Sequence, residues 1–478
     1  LSKAEHLLSS PTRMNDLPQT FMEPILFKTA CKRGTRARMS TEYKSHIQDA
    51  DGVTTTCLDR MTGKEITIRS KYLIGADGGN SLVAENEDLP FECHMGVGGS
   101  MNIYCRADLT KYVAHRPSVL YWVMQPGANV GGIGMGLIRA IRPWNEWLIV
   151  WGYDINEPAP VVDEAMATDV ARQLVGDPEL EIDLISANTW TVNDSYATQM
   201  SKGRVFIMGD AAHRHPPSNG LGSNTSIQDA FNLCWKGSAV VKGEAGEALL
   251  DSYSVERAPV AKQIVTRANQ SIGEFGPIFE ALGMTGGSDI AQIKANMDAR
   301  CDTTAEAEAQ RAALNAAIVF KKYEFDAHGV EMNQRYASDA TVTEGQIEPD
   351  FALDADLHYQ PTTWPGARIP HAWLFDDKGG KHSTLDLAGG GAFTLFTGLG
   401  GKGWAEAAQK VAKDLGIKLE THVIGPRQDY VDHTGDWARA REIGDAGCIL
   451  TRPDQHVCWR NDAMVDDPVA ELTRVLTS

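Results

Sequence analysis

One stretch constrains this chain more than any other: Gly203-Arg-Val-Phe-Ile-Met-Gly-Asp-Ala-Ala-His-Arg-His-Pro-Pro-Ser-Asn-Gly-Leu-Gly-Ser-Asn-Thr-Ser-Ile-Gln-Asp-Ala-Phe-Asn-Leu-Cys-Trp-Lys236. Its apolar start, Arg204 to Met208, reads as a buried strand. The strand delivers Gly209 and Asp210 to a loop, and a helix follows from about Thr225. Gly209 lets backbone approach a ligand closely, and Asp210 becomes a fixed acceptor for the hydroxyls of a polyol. Pro216-Pro217 stiffens the loop, whereas Gly220 and Gly222 allow close packing and unusual dihedral angles. Thr225 and Gln228 have capping-box spacing. Ile227, Phe231, Cys234 and Val241 fall near helical spacing, which predicts an inward apolar face.

The free N–H groups at the start of that helix point back at the loop and favour negative charge. A reduced flavin carries such charge around N1 and the C2 carbonyl. The whole string therefore reads as one wall of a flavin site. The plainer alternative is a strand, a tight turn and a capped helix, with Asp210 as a turn residue.

At 478 residues the chain has room for about three domains with substantial cores. A helix is predicted over Met22–Lys32, entered through Leu17-Pro18-Gln19. Residues 41–76 alternate as strands, with turns at Asp49–Gly52 and Met61–Gly63, and Tyr72–Gly75 is a short buried strand. Met101–Arg106, Val119–Gln125, Gly131–Ile138 and Glu146–Tyr153 predict an antiparallel sheet with one wet face. A helix over 163–176 and a strand over Ile185–Val192 follow. Residues 245–345 read as mainly helical. Asp350–Pro370 is a polar connection, and from His371 a strand–helix–strand pattern marks a separate terminal domain.

Charge excludes some partners. Asp plus Glu outnumber Lys plus Arg, 63 to 45, for a net charge of −18. Nucleic acid and anionic membranes both select a basic face, so neither is expected. No apolar run approaches a membrane span, and Leu1-Ser-Lys-Ala-Glu-His does not read as a signal peptide. The eight scattered cysteines form no Cys-x-x-Cys pair and no zinc spacing, which fits a reducing cytoplasm and no metal.

The glycine-rich string resembles the second FAD motif of the class A flavoprotein aromatic hydroxylases, the family of phenol and para-hydroxybenzoate hydroxylases. Tyr72-Leu-Ile-Gly-Ala-Asp-Gly-Gly-Asn-Ser81 resembles that family's Asp-Gly motif, which serves FAD and NADPH and maps to Asp77 and Gly78. Asp16-Leu-Pro-Gln-Thr20, with Glu23 and Leu26, resembles its flavin-contacting glutamine, here Gln19. Segments starting at His115, Thr189, Ala327 and Gln360 look like its 2,4-dichlorophenol 6-monooxygenase branch, so the likeness spans essentially the whole chain.

The resemblance implies an α/β fold in three parts. They are an incomplete Rossmann-like FAD domain of the para-hydroxybenzoate hydroxylase type, an antiparallel-sheet substrate domain and a C-terminal thioredoxin-like domain without the redox Cys pair. The expected boundaries are 1–90 (partial FAD domain), 91–195 (substrate sheet), 196–345 (rest of the FAD domain plus helices) and 350–478 (thioredoxin-like). The family's opening Gly-x-Gly-x-x-Gly unit has no counterpart before Leu17. Leu1 reads as an interior residue, with about a quarter of a family member expected ahead of it. A second departure is Ala84, where many members carry Arg.

The implied chemistry is hydroxylation of a phenol ortho to its hydroxyl. FAD reduced by NADPH would carry O2 as a C4a hydroperoxide, and the product would be a catechol. Asp210 should hold the ribityl chain. The backbone of Gly222, Ser223 and Asn224 should meet the pyrimidine edge, with Pro217 near the ring. Expected partners are a small aromatic substrate, O2 and NADPH, in a homo-oligomer. No catalytic base is identified; His215, Tyr121 and Asp194 are candidates, and Tyr121 on a strand is also an ordinary core aromatic. Two alternatives stay open: a larger aromatic or polyketide substrate, and a non-catalytic fragment that does not hold FAD.

Two further patterns are decoys. Gly398-Leu-Gly-Gly-Lys-Gly403 matches a dinucleotide loop literally, with Glu420 at a fitting distance, but reads as a turn of the terminal domain. Gly131-Gly-Ile-Gly-Met-Gly136 reads as a glycine-rich strand. His213-Arg-His215 lacks acidic or Cys partners at metal-ligand spacing.

Overall fold

Polar–apolar alternation after Ser40 gives a three-stranded antiparallel meander in the computed structural model, which describes residues 3–126, 135–285 and 289–477. Its strands are β1 (Thr41–Asp49), β2 (Gly52–Asp59) and β3 (Lys64–Ser70). Asp49 and Asp59 close the two turns by accepting backbone N–H bonds from residues two and three ahead. Before the meander come α1 (Lys3–Ser9) and α2 (Gln19–Lys32). α2 starts at Gln19 rather than Met22, directly after Pro18, whose extended ψ of 141° excludes it from the helix. An ion pair between Asp16 and Arg139 (2.6 Å) ties its entry to the large sheet.

The chain then lays down β4 (Leu73–Gly75) and α3 (Leu82–Asn86) and enters a six-stranded antiparallel sheet. The strands are β5 (Phe91–Arg106), β6 (Leu120–Val123), β7 (Gly136–Arg142), β8 (Glu146–Tyr153), β9 (Asp183–Ala197) and β12 (His213–Arg214), in the order β12-β9-β5-β8-β7-β6. α4 (Thr110–Val113) and α5 (Glu164–Val175) are inserted. β8 matches its expectation. β5 and β9 run much further than Met101–Arg106 and Ile185–Val192, because they pair with each other back to Phe91 and Ala197. Residues 131–134 of the glycine-rich strand lie outside the described residues.

One face of this sheet is dry. Met101, Ile103 and Cys105 of β5 and Trp147, Ile149 and Trp151 of β8 bury against Ala167, Val170, Ala171 and Leu174 of α5. α5 is placed as its sequence dictates: the Asp163 side chain caps the Met166 N–H at 2.9 Å, and Gly176 ends the helix in the left-handed region. Gly136 fits the same packing, since a Cβ there would overlap the Leu174 Cδ1 methyl.

After the large sheet come β10 (Ser201–Lys202) and β11 (Val205–Ile207), which form a small sheet in the order β10-β11-β4. β11 runs parallel to β4, pairing Leu73 with Val205 and Gly75 with Ile207. Segments some 130 residues apart thus end side by side. The long helices α6 (Gly222–Lys242) and α7 (Asp251–Gly273) follow, then shorter ones to Met332.

The terminal part carries a hairpin of β13 (Trp373–Phe375) and β14 (Lys381–Ser383). Its main sheet has β15 (Phe393–Thr397), β16 (Leu419–Val423), β17 (Cys448–Thr451) and β18 (Val457–Asn461), in the order β16-β15-β17-β18. β15 and β16 are parallel across the helix Lys402–Leu415, and the other pairs are antiparallel. This is the thioredoxin-like arrangement that the resemblance implies. Among the described residues no helix is long and apolar enough to cross a membrane.

Candidate flavin site

The ends of β4 and β11 position the site. Met208 N–H bonds Gly75 O (3.0 Å), and the chain turns at Gly209, whose φ of +61° suits glycine. A Cβ at 209 would lie 3.0 Å from Ser226 Oγ, so the turn is tucked against α6. Asp210 is exposed, and its carboxylate accepts no hydrogen bond among the described residues. It is free to receive ligand hydroxyls.

The loop that follows is held from behind. Asn219 sits at φ +64° with its amide fully used: Nδ2 donates to Tyr323 O (2.7 Å) and Oδ1 accepts from Ser271 Oγ (2.8 Å). Asparagine tolerates this left-handed conformation, which was the sequence cue for a residue that the motif alone did not single out. Gly220 follows at φ +65° with open space where a Cβ would stand. Pro217 is exposed at the loop's start.

α6 begins at Gly222, three residues before the expected Thr225, and the capping box does not form. Thr225 is buried and its N–H bonds Leu221 O (2.8 Å), while Gln228 Oε1 lies 3.4 Å from Arg257 Nη2. No side chain caps the helix. The N–H groups of Gly222, Ser223 and Asn224 donate to no described residue. An uncapped start on a helix of 21 residues is a ready anion site. With the free Asp210 carboxylate and the open glycine turn on the same loop, these residues fit a flavin.

His215 lies across this helix start: a Cβ at Gly222 would be 3.7 Å from its ring. Its Nδ1 donates to Pro216 O (2.6 Å), which leaves Nε2 as an acceptor. Burial lowers its pKa and keeps the ring neutral. His213 faces the other way, into protein.

The inward face of α6 is the reverse of the expectation. Ile227, Phe231 and Val241 are about half exposed, and Cys234 is exposed. Thr225, Asp229, Asn232 and Lys236 are buried instead, at helical spacing. The reason is ionic: α7 presents Glu256 and Arg257 to this face. Asp229 Oδ1 accepts from Arg257 Nε (2.7 Å), and Oδ2 accepts from His213 Nε2 (2.8 Å) and from the Gly209 N–H (3.1 Å). Burial pushes the Asp229 carboxyl up, but Arg257 and His213 outweigh it and hold the group below its ordinary value. Glu256 accepts from Lys236 Nζ (2.7 Å), Asn232 Nδ2 (2.7 Å) and Arg452 Nη1 (2.6 Å). Against the same burial, Arg452 and Lys236 take Glu256 down to about 2. Arg452, which also pairs with Asp454 inside the terminal part (2.6 Å), thus bolts that part through Glu256 to Lys236 of the flavin helix by buried charge. The polar stripe at i, i+4, i+7, i+11 was visible in the sequence and carried this signal.

Asp77 and Gly78 lie just beyond β4, beside the Gly209 turn. Asp77 accepts from Ser81 Oγ (2.6 Å) and the Val83 N–H (3.2 Å), and Gly78 turns at φ +80°. Ala84 is buried in the core beneath them. Gln19 is exposed on α2, bonded to Glu23. The Tyr121 hydroxyl donates to Arg116 O (2.9 Å) and accepts from the Ser118 N–H (2.8 Å), so it serves its own turn. Asp194 lies opposite His94, 3.9 Å from its Nδ1.

The Gly398–Gly403 loop is a terminal-domain turn: Asp445 Oδ2 takes the Gly400 N–H at 3.0 Å, where a phosphate would have to sit. Among the described residues no group of His, Cys, Asp and Glu is arranged to hold a metal.

Comparison with known proteins identifies the family. The FAD binding domain family matches residues 2–268, and the family "aromatic-ring hydroxylase, C-terminal" matches 362–478. A 2,4-dichlorophenol 6-monooxygenase from Cupriavidus pinatubonensis is 50% identical over 99% of this chain and 79% of that protein. A phenol 2-monooxygenase from a Pseudomonas species is 49% identical over 99% of this chain and 76% of its own length. The crystal structure of the flavin-dependent monooxygenase PieE, in complex with FAD and substrate, superposes with a TM-score of 0.91 at 38% identity, covering 99% of this chain and 81% of that one. The chain belongs to the FAD-dependent aromatic-ring hydroxylases, a family of flavoprotein monooxygenases.

Proposed function

We propose that this monooxygenase hydroxylates a phenol of the chlorophenol type, ortho to its hydroxyl, to give a catechol, with NADPH as reductant. The observation that carries the reading is the uncapped α6 N-terminus facing a loop whose Asp210 carboxylate is free. Substrate class rests on likeness: the two relatives named for phenols are about half identical to this chain, against 33% for one named for tetracenomycin A2.

The bound flavin supplies the electron transfer and oxygen activation. The chain's own residues bind and orient. Asp210 accepts the ribityl hydroxyls, and the N–H groups of Gly222, Ser223 and Asn224 meet the anionic pyrimidine edge. Gly209 and Gly220 let the backbone come close, and Pro217 packs near the ring. Asp77, Gly78 and Gln19 complete the cofactor set. A phenolate is the better nucleophile, so an acceptor near the substrate oxygen is required. Of the candidates, His215 keeps Nε2 free beside the helix start, whereas the Tyr121 hydroxyl is bonded within its own turn.

The test is NADPH oxidation by the purified protein, screened over chlorinated and alkylated phenols, with the catechol identified by mass spectrometry. Asp210→Ala should lose the flavin absorbance. Full flavin retention and full turnover in that variant would sink the reading.

A further inference from the structure

The turn Ser218–Gly220 has a costly shape, and buried charges far away in sequence hold it there. Asn219 takes φ +64° although it carries a side chain. A non-glycine residue in that region stores strain and persists only where its surroundings fix it from several sides. Asn219 Oδ1 accepts from Ser271 Oγ of α7 (2.8 Å), and Asn219 Nδ2 donates to Tyr323 O (2.7 Å). The Ser218 hydroxyl, buried one residue earlier, donates to Glu324 of the short helix Lys322–Phe325.

Behind these contacts stand two ion pairs. Lys321 Nζ donates to Ser271 O (2.6 Å) and pairs with Glu324. Arg267 Nη2 donates to Ser271 Oγ (3.3 Å) and pairs with Glu274. The two side chains that grip the turn, Ser271 and Glu324, are thus each gripped by a cation. Lys321 and Glu324 are only 4% and 5% exposed. Burial pushes the Glu324 carboxyl up, and Lys321 and Ser218 bring it only part of the way back. Burial likewise pushes the Lys321 ammonium down, against the pull of Glu324. Another side of that ammonium is covered by the Phe275 ring, with Nζ 3.6 Å from its centroid. Phe275 in turn packs on Trp122 of β6, with centroids 4.8 Å apart. One ammonium therefore joins α7, the flavin loop and the large sheet.

A buried ion pair gains little stability over apolar side chains of the same size. This one supplies direction, because it aims two hydrogen-bonding groups at a single strained turn. The turn stands between Pro217 and the helix start at Gly222, and open space lies where a Cβ of Gly220 would be. A displaced turn would carry both flanking groups with it.

We propose that Lys321 and Glu324 are positioning residues for the flavin: through Ser271 and Ser218 they set where the Ser218–Gly220 turn stands against the ring. Their role presupposes the flavin reading above.

The experiment compares the wild type with Ser218→Ala, with the pair variant Lys321→Met/Glu324→Leu, and with the triple variant. The pair variant exchanges the two charges for apolar groups of similar size, so its urea midpoint should stay near that of the wild type. The dissociation constant of FAD for the apoprotein, from flavin fluorescence quenching, should nevertheless rise about 3- to 10-fold, the range of a lost hydrogen bond. With a phenol bound, more hydrogen peroxide should be released per NADPH oxidised, since a misplaced turn protects the reaction from water less well. Ser218→Ala should shift both readouts in the same direction. The triple variant should be little worse than the pair variant, because both changes cut the same connection. Unchanged FAD affinity and peroxide yield in the folded pair variant and in Ser218→Ala would overturn the assignment, and so would full additivity in the triple variant. Where the pair variant does not fold, Ser218→Ala decides alone by the same two readouts. A wild type that binds no FAD would overturn the functional reading instead. A wild type that binds FAD but hydroxylates no phenol would overturn only its substrate, and the FAD affinities would still decide the role of Lys321 and Glu324.

Discussion

Asp229 Oδ2 lies 2.8 Å from His213 Nε2, and neither side chain touches solvent. The same oxygen holds the Gly209 N–H, so one buried carboxylate fixes both the turn that presents Asp210 and the strand that carries Arg214. Arg257 supplies the compensating charge. Asp229→Asn preserves volume but leaves Arg257 unbalanced in the interior. We expect a loss of about 3–5 kcal/mol in unfolding free energy, the range for breaking a buried ion pair from one side. Urea denaturation measures it. Flavin retention should fall in parallel, and a variant with wild-type midpoint and wild-type flavin content would show that the clamp is dispensable.

A second carboxylate couples the terminal part to the flavin helix. Glu256→Gln strands Lys236 and Arg452 without their shared partner. The terminal part should then loosen first, and limited proteolysis should cut between residues 333 and 370 faster than in the wild type. The pH dependence has a defined sign. Glu256 titrates at about 2 when folded, against 4.5 for the free group. Its contribution is therefore fully present above pH 4.5 and is lost as pH falls toward 2. The stability gap between wild type and Glu256→Gln should narrow over that window.

These two carboxylates show where the sequence was legible and where it was not. Gly209, Asp210 and the loop glycines stand where their residue types require, because turn chemistry is local and each glycine specifies its own backbone. β8 and α5 were readable for the same reason: a run of strand formers in one, an Asp cap and a Gly stop in the other. α6 departs from the expectation because periodicity gives two stripes and does not say which faces in. Ile227 and Phe231 form one stripe, Asp229 and Lys236 the other. The choice was made by Glu256 and Arg257, about 20 residues on, a tertiary fact. The same holds for β5 and β9: their extra residues are strand only because each supplies the other's hydrogen bonds.

Packing at Gly136 offers a test of the large sheet. A Cβ there would collide with Leu174 and lie 3.0 Å from Trp151 Cε3. Gly136→Ala should destabilise the protein by about 1–3 kcal/mol through overpacking. Leu174→Ala alone should cost about 2–5 kcal/mol through the cavity it opens. In the double variant the new methyl fills part of that cavity, so the combined loss should be smaller than the sum. Strict additivity in thermal or urea unfolding would show that the two sites do not touch.

Glu331 sets a pH dependence of the opposite sign to that of Glu256. Burial, with Asp326 adding like charge, raises its carboxyl to about 7. The folded state therefore holds a proton that the unfolded chain has released between pH 4.5 and 7. Stability is undiminished below 4.5 and falls as pH rises through that interval, by an amount bounded at about 3 kcal/mol. Glu331→Gln keeps the neutral shape and removes the ionisation. Against wild type, the variant should gain stability progressively from pH 5 to pH 7.5, with the difference levelling off above 7. Urea midpoints across that range decide it, and parallel curves for the two proteins would place the Glu331 carboxylate in contact with water or an unrecognised cation.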